Sequence, residues 1–224
     1  MSLVVPTTSP IQSLVNLIEH DQSMTLIDVG ANVGQFGVDM RNSGFKGPIL
    51  SYEPVKSIYY NLGKTIINSQ PWEIINSGLG SSNQRLKINV SNNSGLSSSI
   101  LFIADSHIAA FPDSYTVNVE EIQICTLDDE IDRLQLDPAR IVLKIDAQGF
   151  ESEILQGGKR SIPLIPHLLL EISLIQLYEG EKTFFEMVVL LDKLGHQVID
   201  IHRGTQIKSG QLLQVDIITK KKGL

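Results

Sequence analysis

Asp28-Val29-Gly30-Ala31-Asn32-Val33-Gly34-Gln35 closes a short apolar run, Met24 to Val29, and opens a segment of helical spacing, Gln35 to Asn42. A nearly continuous apolar run of this length, ended by glycine, is what a strand buried on both faces of a parallel sheet requires. Gly30 and Gly34 then allow a tight turn and a close backbone approach to a ligand at the start of a helix. Strand, glycine turn and helix form the first unit of an open α/β sheet. Such sheets bind ligands at the carboxyl ends of their strands, where the strand order reverses.

The same alternation runs outward from this unit. Upstream, Ser9 and Pro10 open an amphipathic helix over residues 9–22, with Ile11, Leu14, Val15, Leu17 and Ile18 on one stripe that ends near Asp21, expected to cap one edge of the sheet. Downstream, Pro48 to Tyr52 and Trp72 to Leu79 read as strands, with a helix from Val55 to Asn68 between them. Residues 80–126 turn polar around the alternating segment Arg85 to Val90, whose expected partner is Val117 to Thr126, so this stretch reads as an arm over the sheet. Asp128 to Leu134 is a short helix, Arg140 to Ile145 a strand, Glu151 to Gln156 a helix, His167 to Ile172 a strand and Glu181 to Leu194 a long helix. Gln197 to His202 and Leu212 to Thr219 are joined by a short link, so they pair antiparallel, and Lys220 to Lys222 reads as a solvated tail. The expectation is one domain over residues 1–224, built on a doubly wound, mostly parallel sheet.

Of 224 residues, 18 are Lys or Arg and 25 Asp or Glu, giving a net charge of −7 that disfavours nucleic acid as a partner and favours a small molecule. The opening residues show no cationic stretch before an apolar core, and the apolar region Ile162 to Tyr178 is interrupted by Pro163, Pro166, His167 and Glu171, so neither a leader nor a membrane span is expected. With Cys125 as the single cysteine, the expected setting is the reducing cytoplasm.

Acids and turns gather at the strand ends. Glu53, in Tyr52-Glu53-Pro54, stands 23 residues after Gly30, near the spacing at which an acid grips ribose hydroxyls. A dinucleotide site would place glycine where this chain has Asn32, which turns the reading toward a nucleoside without a pyrophosphate. A sulfonium nucleoside carries a cationic sulfonium, an amino acid end and a ribose, so a carboxylate beside the turn has an electrostatic use, and Asp28 supplies it. Ser77-Gly78-Leu79 is placed to meet the adenine. Asp146 and Glu151 flank the tip of the fourth strand. Glu171, inside an apolar strand, is either paired or facing the cleft, since an unpaired buried carboxylate is costly.

These stretches, together with Lys144-Ile145-Asp146-Ala147-Gln148-Gly149-Phe150-Glu151 and Leu177-Tyr178-Glu179-Gly180, resemble the FkbM family of S-adenosylmethionine-dependent methyltransferases. The resemblance covers about Thr25 to Thr219, and the chain departs from the family pattern at Ala147-Gln148, where Val or an acid is usual. It implies a Rossmann-like class I methyltransferase sheet of seven strands with an antiparallel last strand, and S-adenosyl-L-methionine over the first two strands. It further implies O-methylation of a hydroxyl on a sugar or natural product. Asp28, Gly30, Asn32, Gly34 and Glu53 inherit the cofactor contacts, Ala31, Gln35, Pro54 and Asp146 are expected beside them, and Ser98 and Ser99, matching a polar loop of the family, are expected to close over the amino acid end. An alcohol must lose its proton as it is methylated, and the expected bases are Asp146, Glu151 and, from the arm, His107. No metal is expected, and a second copy of the chain is left open as a partner. The competing readings are a nicotinamide-dependent oxidoreductase on a similar sheet and a non-catalytic scaffold.

Overall fold

The structure is a computed structural model that describes residues 9–18, 23–67, 69 and 71–224. The expected continuation of the first helix through Asp21, and the opening residues 1–8, lie outside the described residues.

The strand after the first helix is β1 (Thr25–Val29), which pairs in parallel with β2 (Ile49–Tyr52) on one side and β7 (Ile141–Ile145) on the other. Parallel neighbours need crossover helices, here α2 (Gln35–Asn42) and α3 (Lys56–Thr65) for β1 to β3 (Trp72–Ile75), and α6 (Glu151–Gly157) between β7 and β8 (His167–Ser173). The closing strands are β9 (His196–Arg203) and β10 (Gln214–Lys221), the latter slotted between β8 and β9 and antiparallel to both. The seven-stranded order is therefore β3-β2-β1-β7-β8-β10-β9. This is the doubly wound, mostly parallel sheet the sequence predicts. Its order reverses between β1 and β7, which opens a crevice at their carboxyl ends.

Apolar layers cover both faces. Ile27, Leu143, Leu170 and Ile217 pack with α5 (Leu127–Leu134), α6 and α7 (Phe184–Lys193) on one side. Leu26, Val142, Leu169 and Ile218 pack with α1 (Pro10–Ile18) and α2 on the other. Helix α1 lies against α2 and the inner strand β10 rather than at a sheet edge, burying Leu14, Val15 and Ile18 while Leu17 is 42% exposed.

The expected third strand breaks in two. Asn76 Nδ2 donates to the Glu53 and Pro54 carbonyls, which turns the chain out of the large sheet. Gly78 and Leu79 (β4) instead pair with β6 (Thr116–Cys125), which also pairs antiparallel with β5 (Gln84–Ser91). β5 and β6 are the strand pair expected in the arm, β4 adds a third strand from outside it, and the small sheet is seated on α3 through Val55, Ile58, Ile88, Ile122 and Ile124. The arm also carries a helix not foreseen from the sequence, α4 (Asp105–Ala110). Helix α7 starts later than Glu181 because Thr183 and Glu186 form a capping box, while Glu181 accepts the backbone N–H groups of Leu177 and Tyr178. Lys220 and Lys221 belong to β10, and Lys222 pairs with Asp192, so the terminal lysines are not a free tail.

Candidate functional site

The site grows from the tips of β1 and β7. Gly30 has φ +75°, and a Cβ there would lie 1.8 Å from the carbonyl oxygen of Asp146, so the turn can pass the tip of β7 this closely because it has no side chain. Asn32 is also left-handed, at φ +49°, a conformation asparagine tolerates better than most residues. Its Oδ1 accepts the N–H of Val33 at 2.8 Å, and its Nδ2 donates to the Ser94 carbonyl in the arm at 3.2 Å. The position where a dinucleotide turn has glycine is thus filled by a side chain that braces the turn. Gly34, at φ +90°, faces α3 instead of a ligand, since a Cβ there would meet Leu62 Cδ1 at 2.7 Å.

Glu53 follows β2 and reaches back to this turn. Its Oε2 accepts the N–H of Asn32 at 3.0 Å and its Oε1 the N–H of Val55 at 2.8 Å. Burial pushes its carboxyl up to about 7, against the downward pull of the two amides. Each oxygen keeps capacity for a further donor. It lines a cavity of about 700 Å³, counting the space open to solvent. Gly30, Asn32, Gln35 and Pro54 share that wall. Leu79, Ile124 and Phe150 provide apolar surface suited to a flat base, and Leu96, Ser98 and Ile100 of the arm complete it.

A second cavity adjoins the first through Gln35 and Asp146, which line both. Its wall includes Ala31, Phe36, Lys144, Glu171 and Asp216. Burial, then Asp146 and Asp216, push the Glu171 carboxyl well above the usual range, and burial, then Asp146, raise Asp216 to about 6. Glu171 is both paired and facing a cleft, because its Oε2 accepts from Gln148 and Gln214.

Several expected contacts fall elsewhere. Asp28 is fully buried and lines neither cavity; register sets it opposite Lys144, whose Nζ lies 3.1 Å from Asp28 Oδ1 and 3.5 Å from Asp146 Oδ2. The expectation of a direct contact between Asp28 and a cationic ligand is therefore corrected: Asp28 is spent on the lysine. Burial opposes the charge on Lys144, but Asp28 and Asp146 more than offset it, and the ammonium also donates to the Gly30 carbonyl at 3.0 Å. Nothing local in the sequence gives Lys144 a role, because only strand register sets what it touches.

Glu151 is buried, and its Oε1 accepts the N–H groups of Ala147 (2.8 Å) and Gly149 (3.2 Å) at the head of α6, so it braces its own turn and does not line either cavity. His107, expected as a base from the arm, lines neither cavity. It is 2% exposed, packed between Phe111 and Tyr178, and neither ring nitrogen has a hydrogen-bond partner among the described residues. Ser77 Oγ donates to the Gly78 and Gln123 carbonyls, and Ser99 Oγ to the Gln148 carbonyl, so these hydroxyls tie the arm to the strand ends beside it and line neither cavity. Ala31 faces the second cavity alone. Gly30, Asn32, Gln35, Glu53, Pro54, Gly78, Leu79, Ser98 and Asp146 do converge on the first.

Among the described residues, no group of three or more His, Cys, Asp or Glu is placed to hold a metal ion, and no helix is long and apolar enough to cross a membrane.

No curated protein matches the sequence. Magnesium protoporphyrin IX methyltransferase from Synechocystis PCC 6803, solved with bound SAM, shares the fold with a TM-score of 0.53 at 8% identity, covering 95% of this chain and 78% of that one. Precorrin-6y C5,15-methyltransferase from Geobacter metallireducens gives 0.51 at 13% identity, covering 99% and 93%. These likenesses establish a Rossmann-like class I methyltransferase fold. A family profile described as the methyltransferase FkbM domain matches residues 28–198, a span that takes in the glycine turn, Glu53, the arm and Asp146, and the chain accordingly belongs to the FkbM methyltransferase family.

Proposed function

We propose that the protein moves the methyl group of S-adenosyl-L-methionine to a hydroxyl oxygen of a small molecule, a sugar or a natural product. One domain spanning residues 1–224 carries the activity, with residues 80–126 as an arm over the cofactor. A cytoplasmic setting, which keeps Cys125 reduced, suits this reading.

The observation that carries it is Glu53, buried in the first cavity with one backbone amide already on each oxygen and room on both for the two hydroxyls of a ribose. Gly30 brings backbone within reach, and the apolar wall of Leu79, Ile124 and Phe150 takes the adenine. Asp146, two strands from Glu53, faces the amino acid end. When bound, the cofactor supplies an electrophilic methyl group on a sulfonium centre. The chain aligns it with the acceptor, which is worth several kcal/mol. Asp146 lines both cavities and so stands where an acceptor hydroxyl in the second cavity can pass its proton to it, a contribution of roughly a hundredfold. Lys144, shared between Asp28 and Asp146, holds that carboxylate against the Gly30 turn.

Calorimetry with S-adenosylmethionine and S-adenosylhomocysteine tests the cofactor. Binding by the wild type that is unchanged in Glu53→Ala removes the ribose assignment, and no binding removes the reading. In a panel of sugars and polyketides scored by release of S-adenosylhomocysteine, Asp146→Asn is expected to lose at least about a hundredfold in turnover and no more than about tenfold in cofactor affinity. Equal loss of both takes Asp146 out of the base role.

A further inference from the structure

Gln148 stands in the wall of the first cavity, and nothing in the reaction described so far uses it. It follows β7 with φ +51°, a left-handed conformation that is unfavourable for a residue with a Cβ and persists where its surroundings hold it. Each polar atom of its side chain is engaged. Nε2 donates to Asp146 Oδ1 at 2.8 Å and to Glu171 Oε2 at 3.0 Å, and Oε1 accepts from the Tyr178 hydroxyl at 2.8 Å. Its carbonyl accepts from Ser99 Oγ in the arm at 2.6 Å.

A carboxamide matches this set of partners. A carboxamide offers two N–H donors on one end and an acceptor on the other, so it can face two carboxylates and a phenol hydroxyl at once. Turning the amide over would aim its oxygen at both acids. Asp146 is then gripped from two sides, by Lys144 at Oδ2 and by Gln148 at Oδ1. The two carboxylates that Gln148 joins both line the second cavity, while Ser99 and Tyr178 tie the same residue to the arm and to the loop ahead of α7.

We propose that Gln148 is a positioning residue, which fixes the rotation of the Asp146 carboxylate at the junction of the two cavities and couples that setting to the arm. The inference deepens the methyl-transfer reading and rests on it.

Gln148→Glu is the test, because it keeps shape and lets pH decide the chemistry. At low pH a buried glutamic acid among carboxylates is protonated and retains one O–H donor; at high pH it is a third carboxylate against Asp146 and Glu171. Affinity for S-adenosylhomocysteine is measured by calorimetry from about pH 5.5 to about pH 8.5 for the wild type, Gln148→Glu and Gln148→Leu. Each variant is expressed as a ratio to the wild type at the same pH. Gln148→Glu is expected within about threefold of the wild type at the acid end and at least about tenfold weaker at the alkaline end, and Gln148→Leu about tenfold weaker throughout. A Gln148→Glu ratio that stays constant, or tightens, as pH rises overturns the proposal while leaving the cofactor reading intact. A wild type that fails to bind at every pH takes down the cofactor reading and this inference with it. Should Gln148→Leu fail to fold, the Gln148→Glu sample cycled between the two pH limits decides alone.

Discussion

Glu53 makes cofactor affinity a function of pH. Its carboxyl is pushed up to about 7 by burial, and ribose hydroxyls donate to the ionised form. One pH unit below that value about a tenth of the molecules carry the carboxylate, so the association constant should fall about tenfold from its alkaline plateau, until weak binding by the neutral form takes over. Near pH 7 binding should release about half a proton, since the ligand pulls the carboxyl into its ionised state. Glu53→Gln abolishes this ionisation and sets an amide nitrogen against one of the N–H groups of Asn32 and Val55, which now donate to the two oxygens. The loss of a hydrogen bond to a charged group, about 2 kcal/mol, is roughly thirtyfold in affinity at the plateau. Calorimetry with S-adenosylhomocysteine in buffers of different ionisation enthalpy, from about pH 5 to about pH 8.5, reads both affinity and proton release. Wild-type affinity that is flat or weakens as pH rises, or a Glu53→Gln variant with the wild-type slope, refutes the reasoning.

Two further outcomes follow from the turns. Gly30→Ala places a Cβ 1.8 Å from the Asp146 carbonyl in a left-handed residue, so β1 and β7 must part at the site; chemical denaturation should show a loss of at least about 2 kcal/mol, and a variant as stable as the wild type would show that the turn relaxes freely. Glu151 is held near 7 by burial against an ordinary value of 4.5, so its contribution to stability is complete at acid pH and is lost as pH rises from about 4.5 through about 7, up to about 3 kcal/mol. Both of its hydrogen bonds arrive at one oxygen, so Glu151→Gln keeps them and should be more stable than the wild type near pH 8, whereas Glu151→Ala strands two amides at a cost of about 2 kcal/mol. Equal decline of the wild type and Glu151→Gln with pH in urea titrations would contradict this.

The sheet was legible because its signals are local. An apolar run ended by a glycine specifies β1, and helical spacing after the turn specifies α2 over the residues expected. Glu53 was legible for the same reason, standing directly at a strand end and at a chain distance from Gly30 that a βαβ unit dictates. Trp72 to Leu79 reads as one strand in the sequence, but Asn76-Ser77-Gly78 interrupts its apolar run and Asn76 bends the chain toward the arm.

By itself the sequence determined the fold class, the family resemblance and the strand tips at which chemistry gathers, because hydrophobic period, glycine turns and acids at strand ends are written over a few consecutive residues. Tertiary structure alone decided what each acid faces. Asp28 and Lys144, 116 positions apart in the chain, meet through strand register, and Gln148 joins Asp146, Glu171 and Tyr178 from three separate elements. A carboxylate carries the same letter whether it braces a turn, neutralises a lysine or lines a cavity, and the choice is made by neighbours that only folding brings within hydrogen-bonding distance.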